Sequence, residues 1–445
     1  MAIAGRHNNW RTLVPASWRA PGRGCGASNP SSPRDSTPAA PASRVVELDA
    51  LRGIGAITIL GFHIRPGAFF FGWTRVDLFF VISGFVISRI IFRHGERSGF
   101  LLTFWARRAL RVWPSYYLLL VILILLAASR GQALPLDGLI AHATFTQNLP
   151  YYWSTRVAAF PHAALQTWSL AIEEQYYLVW PIAAVLAGRW VLVPLSAWLI
   201  ANSVVLRLDG IYPAVALARA DGLALGTILA WLLNQPFEGS FFLGAHPRRA
   251  VQRYGPVLEE ERSDATPFVE LPSQIANEGG NPSQRHRGFS VVFAISAVVG
   301  IVSLLGPFPK YEEPIPGVSG CGPWSILAVN LLYFSLVGAV VLNSGHRLLA
   351  PLRWRPLGYL GQISLGIYLY NLLAIEAAHR LFGLGSALAD LTAVFLSLLA
   401  GAASWELLER PLGDLKRWLP YATDHTELTG SNAPAIPGPS GKGVA

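Results

Sequence analysis

The chain has 445 residues, 52% of them hydrophobic and only 14% charged, and its mean hydropathy is +0.39. That balance excludes an ordinary soluble domain. The net charge of +9 reads as a signature of membrane orientation, so no nucleic-acid partner is inferred from it. The two cysteines, Cys25 and Cys321, are expected on opposite sides of a bilayer and give no disulfide framework, and the histidines show no metal-ligand spacing, so no metal is expected.

Residues 1–45 are rich in Pro, Ser, Gly and Arg, hold a single acid (Asp35) and contain no apolar run. They predict a disordered cytoplasmic tail rather than a signal peptide. Ten apolar stretches of bilayer-spanning length follow, at 48–66, 74–92, 109–128, 168–187, 190–207, 212–233, 289–306, 324–342, 357–379 and 387–407. They predict an all-α integral membrane protein of about ten transmembrane helices, with the lipid bilayer as its first partner. Ten crossings put both termini on one side. The clustering of Arg93, Arg97, Arg107, Arg108, Arg111, Arg189, Arg353 and Arg410 in alternate connections makes that side the cytoplasm.

The first stretch, ELDALRGIGAITILGFH, sets Arg52 and His63 eleven positions apart. On an α-helix they share a face, about 16 Å apart along the axis. Ionisable groups at membrane depth face a bundle interior or a wet cavity, which reads as a functional site. Two residues snorkelling to opposite headgroup layers is the other reading. In GWTRVDLFFVISGFVISRIIF, Asp77 stands where an acid also suits a helix start. FWARRALRVWPSYY places Arg108 and Arg111 on one face at the cytoplasmic entrance of the third helix. Guanidinium forks grip phosphates, and positive-inside anchoring explains the same residues.

QTWSLAIEEQYYLVWP carries Glu173 and Glu174, about 100° apart on a helix, so at most one points squarely inward. His63 is the expected partner, because a carboxylate would orient the imidazole and raise its basicity. A polar loop-to-helix junction is the alternative. ARADGLALG brings Arg219 and Asp221 into the sixth helix, readable as an internal ion pair. Residues 234–288 read as a long polar cytoplasmic loop without assigned chemistry. In SWELLERPL, Pro411 ends the last helix after Glu409 and Arg410, and residues 416–445 read as a disordered tail.

Taken in order, LDALRG with His63, VDLFFVISGFVIS, RRALRVWP, FTQN around Asn148, TWSLAIEEQYYLVWP, ADGLALG, ISLGIYLYN and LLERP resemble the acyltransferase-3 family of membrane O-acyltransferases. The resemblance covers residues 46–415. It implies an enzyme of the bacterial inner membrane that moves an acyl group, most commonly acetyl, from acyl-CoA to a hydroxyl of a carbohydrate such as lipopolysaccharide. No permanently bound cofactor is expected. By the same resemblance Arg52 and His63 form a required pair, Arg108 and Arg111 help to bind acyl-CoA, and Glu173 and Glu174 fall on a Trp-Ser-Leu…Glu-Glu motif. Asp77, Asn148, Trp168, Ser169, Arg219 and Asp221, which stand in the matched motifs, are the candidate acceptor-binding residues.

Asn371, in YLYN, stands where the family often has a His and is not counted as catalytic. Some relatives append a soluble hydrolase-like domain. The expectation here is that the membrane domain handles the acceptor alone or with a partner. The expected reaction has His63 as general base, oriented by Glu173 or Glu174, with an acyl-His intermediate as a variant. The rival reading is a transporter or flippase of an anionic or sugar-bearing solute. The absence of a convincing internal repeat argues against it.

Overall fold

The computed structural model of the chain describes residues 43–149, 160–211, 215–234, 270–271, 282–305 and 323–421. The expected N-terminal tail up to residue 42, most of the 234–288 loop and the tail beyond 421 lie outside the described residues. The fold is α-helical. Its helices are α1 (Val46–Ile64), α2 (Arg75–His94), α3 (Phe100–Ser129), α4 (Leu136–Ala143), α5 (Trp168–Ala187), α6 (Leu192–Leu208), α7 (Ala216–Arg219) and α8 (Asp221–Asn234). After these come α9 (Pro282–Leu305), α10 (Pro323–Leu342), α11 (Arg355–Gln362), α12 (Ser364–Phe382), α13 (Ala387–Ser404) and α14 (Arg410–Gly413). Among the described residues the only ladder is antiparallel, between β1 (Ser43–Arg44) and β2 (Glu270–Leu271).

Helix occupies each of the ten apolar stretches, and among the described residues four helical runs are long and apolar enough to cross a membrane: Phe100–Ser129, Arg189–Leu208, Trp324–Leu342 and Ala387–Trp418. The boundaries depart from expectation in instructive places. α3 begins at Phe100 rather than 109, because nothing in FLLTFWARR breaks a helix and the chain turns at Gly99, whose φ of +70° suits glycine. The 212–233 stretch is not one helix. It is interrupted at Ala220, so that Asp221 opens α8 at its positive dipole end. The 357–379 stretch is likewise broken at Ile363. After α13 the chain makes a π turn at Trp405–Glu409, continues through α14 and a 3-10 turn, and is described to Tyr421, past the expected tail boundary at 415.

α1 is the seam of the bundle. It packs on α2 and α10 along one side and on α11 and α12 along the other. α2 and α8 approach very closely. A Cβ on Gly84 would lie 2.0 Å from the Leu223 carbonyl oxygen, and one on Gly226 would lie 2.3 Å from that of Val81. Small residues that let backbones touch are a common device where lipid supplies no hydrophobic drive between helices.

Candidate active site

Arg52 of α1 meets Arg108 and Arg111 of α3 at a pocket walled by Ser83, Val86 and Ile87 of α2, Leu170, Glu173 and Tyr177 of α5, and Leu365 of α12. The helical spacing of three turns Arg108 and Arg111 to the same side. The Arg108 guanidinium lies 5.8 Å from the Phe104 ring centre and 5.9 Å from that of Tyr177, and that of Arg52 lies 6.0 Å from Phe79. Neither Arg52 nor Arg108 makes an ion pair or hydrogen bond among the described residues, and Nε of Arg52 is buried without a partner. Arg111 lies in the field of Arg52, Arg108 and Glu409.

Two acids temper this positive cluster. Glu173 accepts hydrogen bonds from the Tyr177 hydroxyl at 2.9 Å and from Ser83 Oγ at 3.1 Å. Glu409, at the end of the π turn, accepts from Ser404 Oγ at 2.9 Å and Ser115 Oγ at 3.2 Å. The 3-10 turn that follows packs on α3 and brings Lys416 into the field of Arg107, Arg108 and Arg111. Cations therefore outnumber acids. Two like charges about 7 Å apart at an effective dielectric near 20 repel by about 2 kcal/mol, so the arrangement favours an anionic ligand.

Glu174 is turned one helical step away from the pocket and accepts from the Trp113 indole N–H at 3.0 Å. The two neighbouring carboxylates thus divide as their angular separation requires.

His63 lies about 16 Å along α1 from Arg52 by helical rise. Its ring partner corrects the expectation drawn from sequence: Nδ1 of His63 is 2.8 Å from Oδ1 of Asn371, and neither Glu173 nor Glu174 bonds to the imidazole. Packing explains the difference. α12 lies along α1 and delivers Asn371 to the level of His63, whereas α5 packs on α2 and α3 and delivers Glu173 to the level of Arg52. Asn371 is wholly buried, while His63 is partly exposed. The Asn371 amide donates to the carbonyl oxygens of Ile367 at 3.2 Å and Tyr368 at 2.9 Å. Asn371 is the residue that the sequence reading set aside. Its signal, a polar residue among apolar ones on the α1-facing side of α12, was present but unspecific.

The remaining candidates all have partners within the fold. Arg219 does not pair with Asp221. It grips Asp77 through Nε–Oδ1 at 3.0 Å and Nη2–Oδ2 at 2.8 Å, between the rings of Trp73 and Trp168 at 5.9 and 5.7 Å. Asp221 instead receives Arg207 Nη2 at 2.9 Å, and Arg207 Nη1 donates to the Ala218 carbonyl at 2.6 Å. All four charged side chains are at most 1% exposed. Arg207 was not singled out from sequence. Asn148 exchanges hydrogen bonds with Gln175 (2.7 Å for the shorter), and Ser169 Oγ bonds the Tyr368 hydroxyl at 2.7 Å. Trp168 serves as one face of the Arg219 sandwich.

Among the described residues no group of His, Cys, Asp and Glu is arranged to hold a metal ion.

Residues 45–406 match the model of the acyltransferase-3 family, described as an acyltransferase domain. The chain is 31% identical over 159 residues to the peptidoglycan O-acetyltransferase OatA of Listeria monocytogenes, covering 33% of this chain and 25% of that protein. It is 24% identical over 379 residues to YrhL of Bacillus subtilis, provisionally named a peptidoglycan O-acetyltransferase, covering 82% of this chain and 54% of that protein. A provisionally named O-acetyltransferase of Staphylococcus aureus strain COL is 32% identical over 147 residues, 31% of this chain and 24% of its own length. The matches thus span from about a quarter to about half of these relatives. No solved structure matches the chain.

Proposed function

The chain belongs to the acyltransferase-3 family, and we propose on that footing that it moves an acyl group, acetyl first among them, from acyl-CoA to a hydroxyl of a cell-envelope carbohydrate. The observation that carries the reading is the pair of guanidiniums, Arg52 and Arg108, without hydrogen-bond or ion-pair partners among the described residues, in one pocket beside Arg111. Phosphates are the natural ligands of such forks, and CoA supplies several. The pocket wall continues into Val86, Ile87, Leu170 and Leu365, an apolar surface suited to the less polar part of a donor. The names of OatA and YrhL favour a peptidoglycan-type acceptor. In this reading all ten apolar stretches cross the bacterial inner membrane, both termini are cytoplasmic, and the donor reaches the arginines from that side.

His63 then lies one donor-arm length along α1 from the phosphates. It takes the proton of the acceptor hydroxyl as that oxygen bonds to the thioester carbonyl carbon. The C–S bond breaks, and the proton passes from the imidazole to the departing thiolate. Helical walls on each side keep water from the thioester. Membranes carrying the protein, given labelled acetyl-CoA and cell-wall glycan, should label the glycan, and His63→Ala should abolish at least 99% of that label. Undiminished labelling by His63→Ala would remove His63 from the reaction, and no labelling of any glycan by the wild type would remove acyl transfer itself.

A further inference from the structure

Resting on the general-base reading of His63, we propose that Asn371 is a positioning residue: its carboxamide locks His63 in the Nδ1–H tautomer and presents Nε2 as the base. Nδ2 of Asn371 lies within hydrogen-bonding distance of two carbonyl oxygens one turn back on α12, those of Ile367 and Tyr368. Carbonyl oxygens only accept, so the amide must turn its NH₂ toward them; the reverse orientation would set oxygen against oxygen twice. The atom that faces the ring is therefore Oδ1, at 2.8 Å from His63 Nδ1. It too only accepts, so Nδ1 carries the hydrogen. A neutral imidazole protonated there has its lone pair at Nε2. No described residue hydrogen-bonds to Nε2, and the ring is partly exposed while Asn371 is sealed.

An amide fixes the tautomer without adding a charge. A carboxylate in its place would also stabilise the imidazolium and keep the base occupied to higher pH. Among the described residues few other charges act at this end of the bundle. His162, the first residue of the 3-10 turn His162–Thr167, lies within electrostatic reach of His63; Arg65 and Asp390 pair at 2.5 Å; Glu376 of α12 is held by Arg130 and Arg380. In the reaction the acceptor O–H gives its proton to Nε2 as the O–C bond forms. The thiolate removes that proton as the C–S bond breaks, so the ring returns to its starting tautomer with nothing left over.

The test uses the full chain in lipid nanodiscs. Wild type, Asn371→Ala and Asn371→Asp are compared by acetyl transfer across pH and by nitrogen NMR of ring-labelled histidine, with His63→Ala identifying the resonance. Asn371→Ala is expected to lower kcat about 10- to 100-fold, with KM for acetyl-CoA unchanged within about twofold, and to turn one tautomer into a mixture. Asn371→Asp is expected to keep the Nδ1–H tautomer and to move the acid limb of the pH profile up by about one unit or more. A wild-type His63 protonated at Nε2, or an Asn371→Ala variant with unchanged kcat and tautomer, would overturn the proposal. A locked tautomer in a wild type that transfers no acetyl group would support the lock and count against acyl transfer.

Discussion

Two groups of charge, one sealed and one half-buried, stand in this bundle and follow opposite rules. Around α8, Asp77 and Arg219 bind each other twice and Arg207 meets Asp221, all sealed from solvent. Around α3, Arg52 and Arg108 share a pocket with Arg111 and Glu173, and the first two make no hydrogen bond or ion pair among the described residues. Only the first is sealed and paired within the fold; the second is half-buried, with its cations in excess of its acids. Ionised residues in a membrane protein sort accordingly: a charge paired with its counter-ion serves architecture, and one held beside like charges is kept for a ligand.

The sharpest way to break the comparison is to leave one partner of the α8 cluster alone. Asp77→Ala strands the Arg219 guanidinium between two tryptophans and should cost about 3–5 kcal/mol of stability, read by thermal unfolding in detergent. Replacing the pair together, as Asp77→Leu with Arg219→Met, should recover most of that loss. If the single variant melted like wild type, the cluster would not be the architectural element described here. Arg108→Gln should do the reverse. It removes a charge from a repelling group, so stability should hold or rise, while CoA affinity falls about 10- to 100-fold, the equivalent of losing about 1.5–3 kcal/mol of charge-assisted hydrogen bonding. Isothermal titration with CoA decides it.

A smaller effect separates the two acids of α5. Glu173→Gln takes a negative charge from the pocket and should tighten CoA binding about threefold at low salt, an advantage that shrinks as ionic strength rises. Weaker binding would mean that Glu173 positions the arginines instead of opposing the ligand. Trp113→Phe, which removes the hydrogen bond to Glu174 outside the pocket, should change CoA affinity by less than about twofold and stability by about 1 kcal/mol. A large loss of affinity would bring Glu174 into the site.

What the sequence revealed and concealed follows from the range of each interaction. Arg52 with His63, and Arg108 with Arg111, were legible because helical period alone places them. The division of labour between Glu173 and Glu174 was legible for the same reason. The partner of His63 was not, since choosing between α5 and α12 requires knowing which helix packs against α1 at that level. The reading of Arg219 with Asp221 as one pair neglected its own geometry. On the continuous helix that reading assumes, residues two apart point in nearly opposite directions; across the break at Ala220 that the fold has instead, their counter-ions are Asp77 of α2 and Arg207 of α6. The ten apolar stretches all became helix, but the interruptions at Ala220 and Ile363 were hidden inside continuous hydrophobicity.

If Arg52 and Arg108 are held for a polyanionic donor, CoA should stabilise the protein against thermal unfolding. A ligand that binds only the folded state at a hundredfold excess over its Kd adds about 2.7 kcal/mol. The account predicts that saturating CoA raises the melting temperature of the wild type and of Trp113→Phe, while Arg52→Gln and Arg108→Gln, equally stable without ligand, respond little. A wild type indifferent to CoA, or an Arg108→Gln variant stabilised as strongly as the wild type, would contradict it.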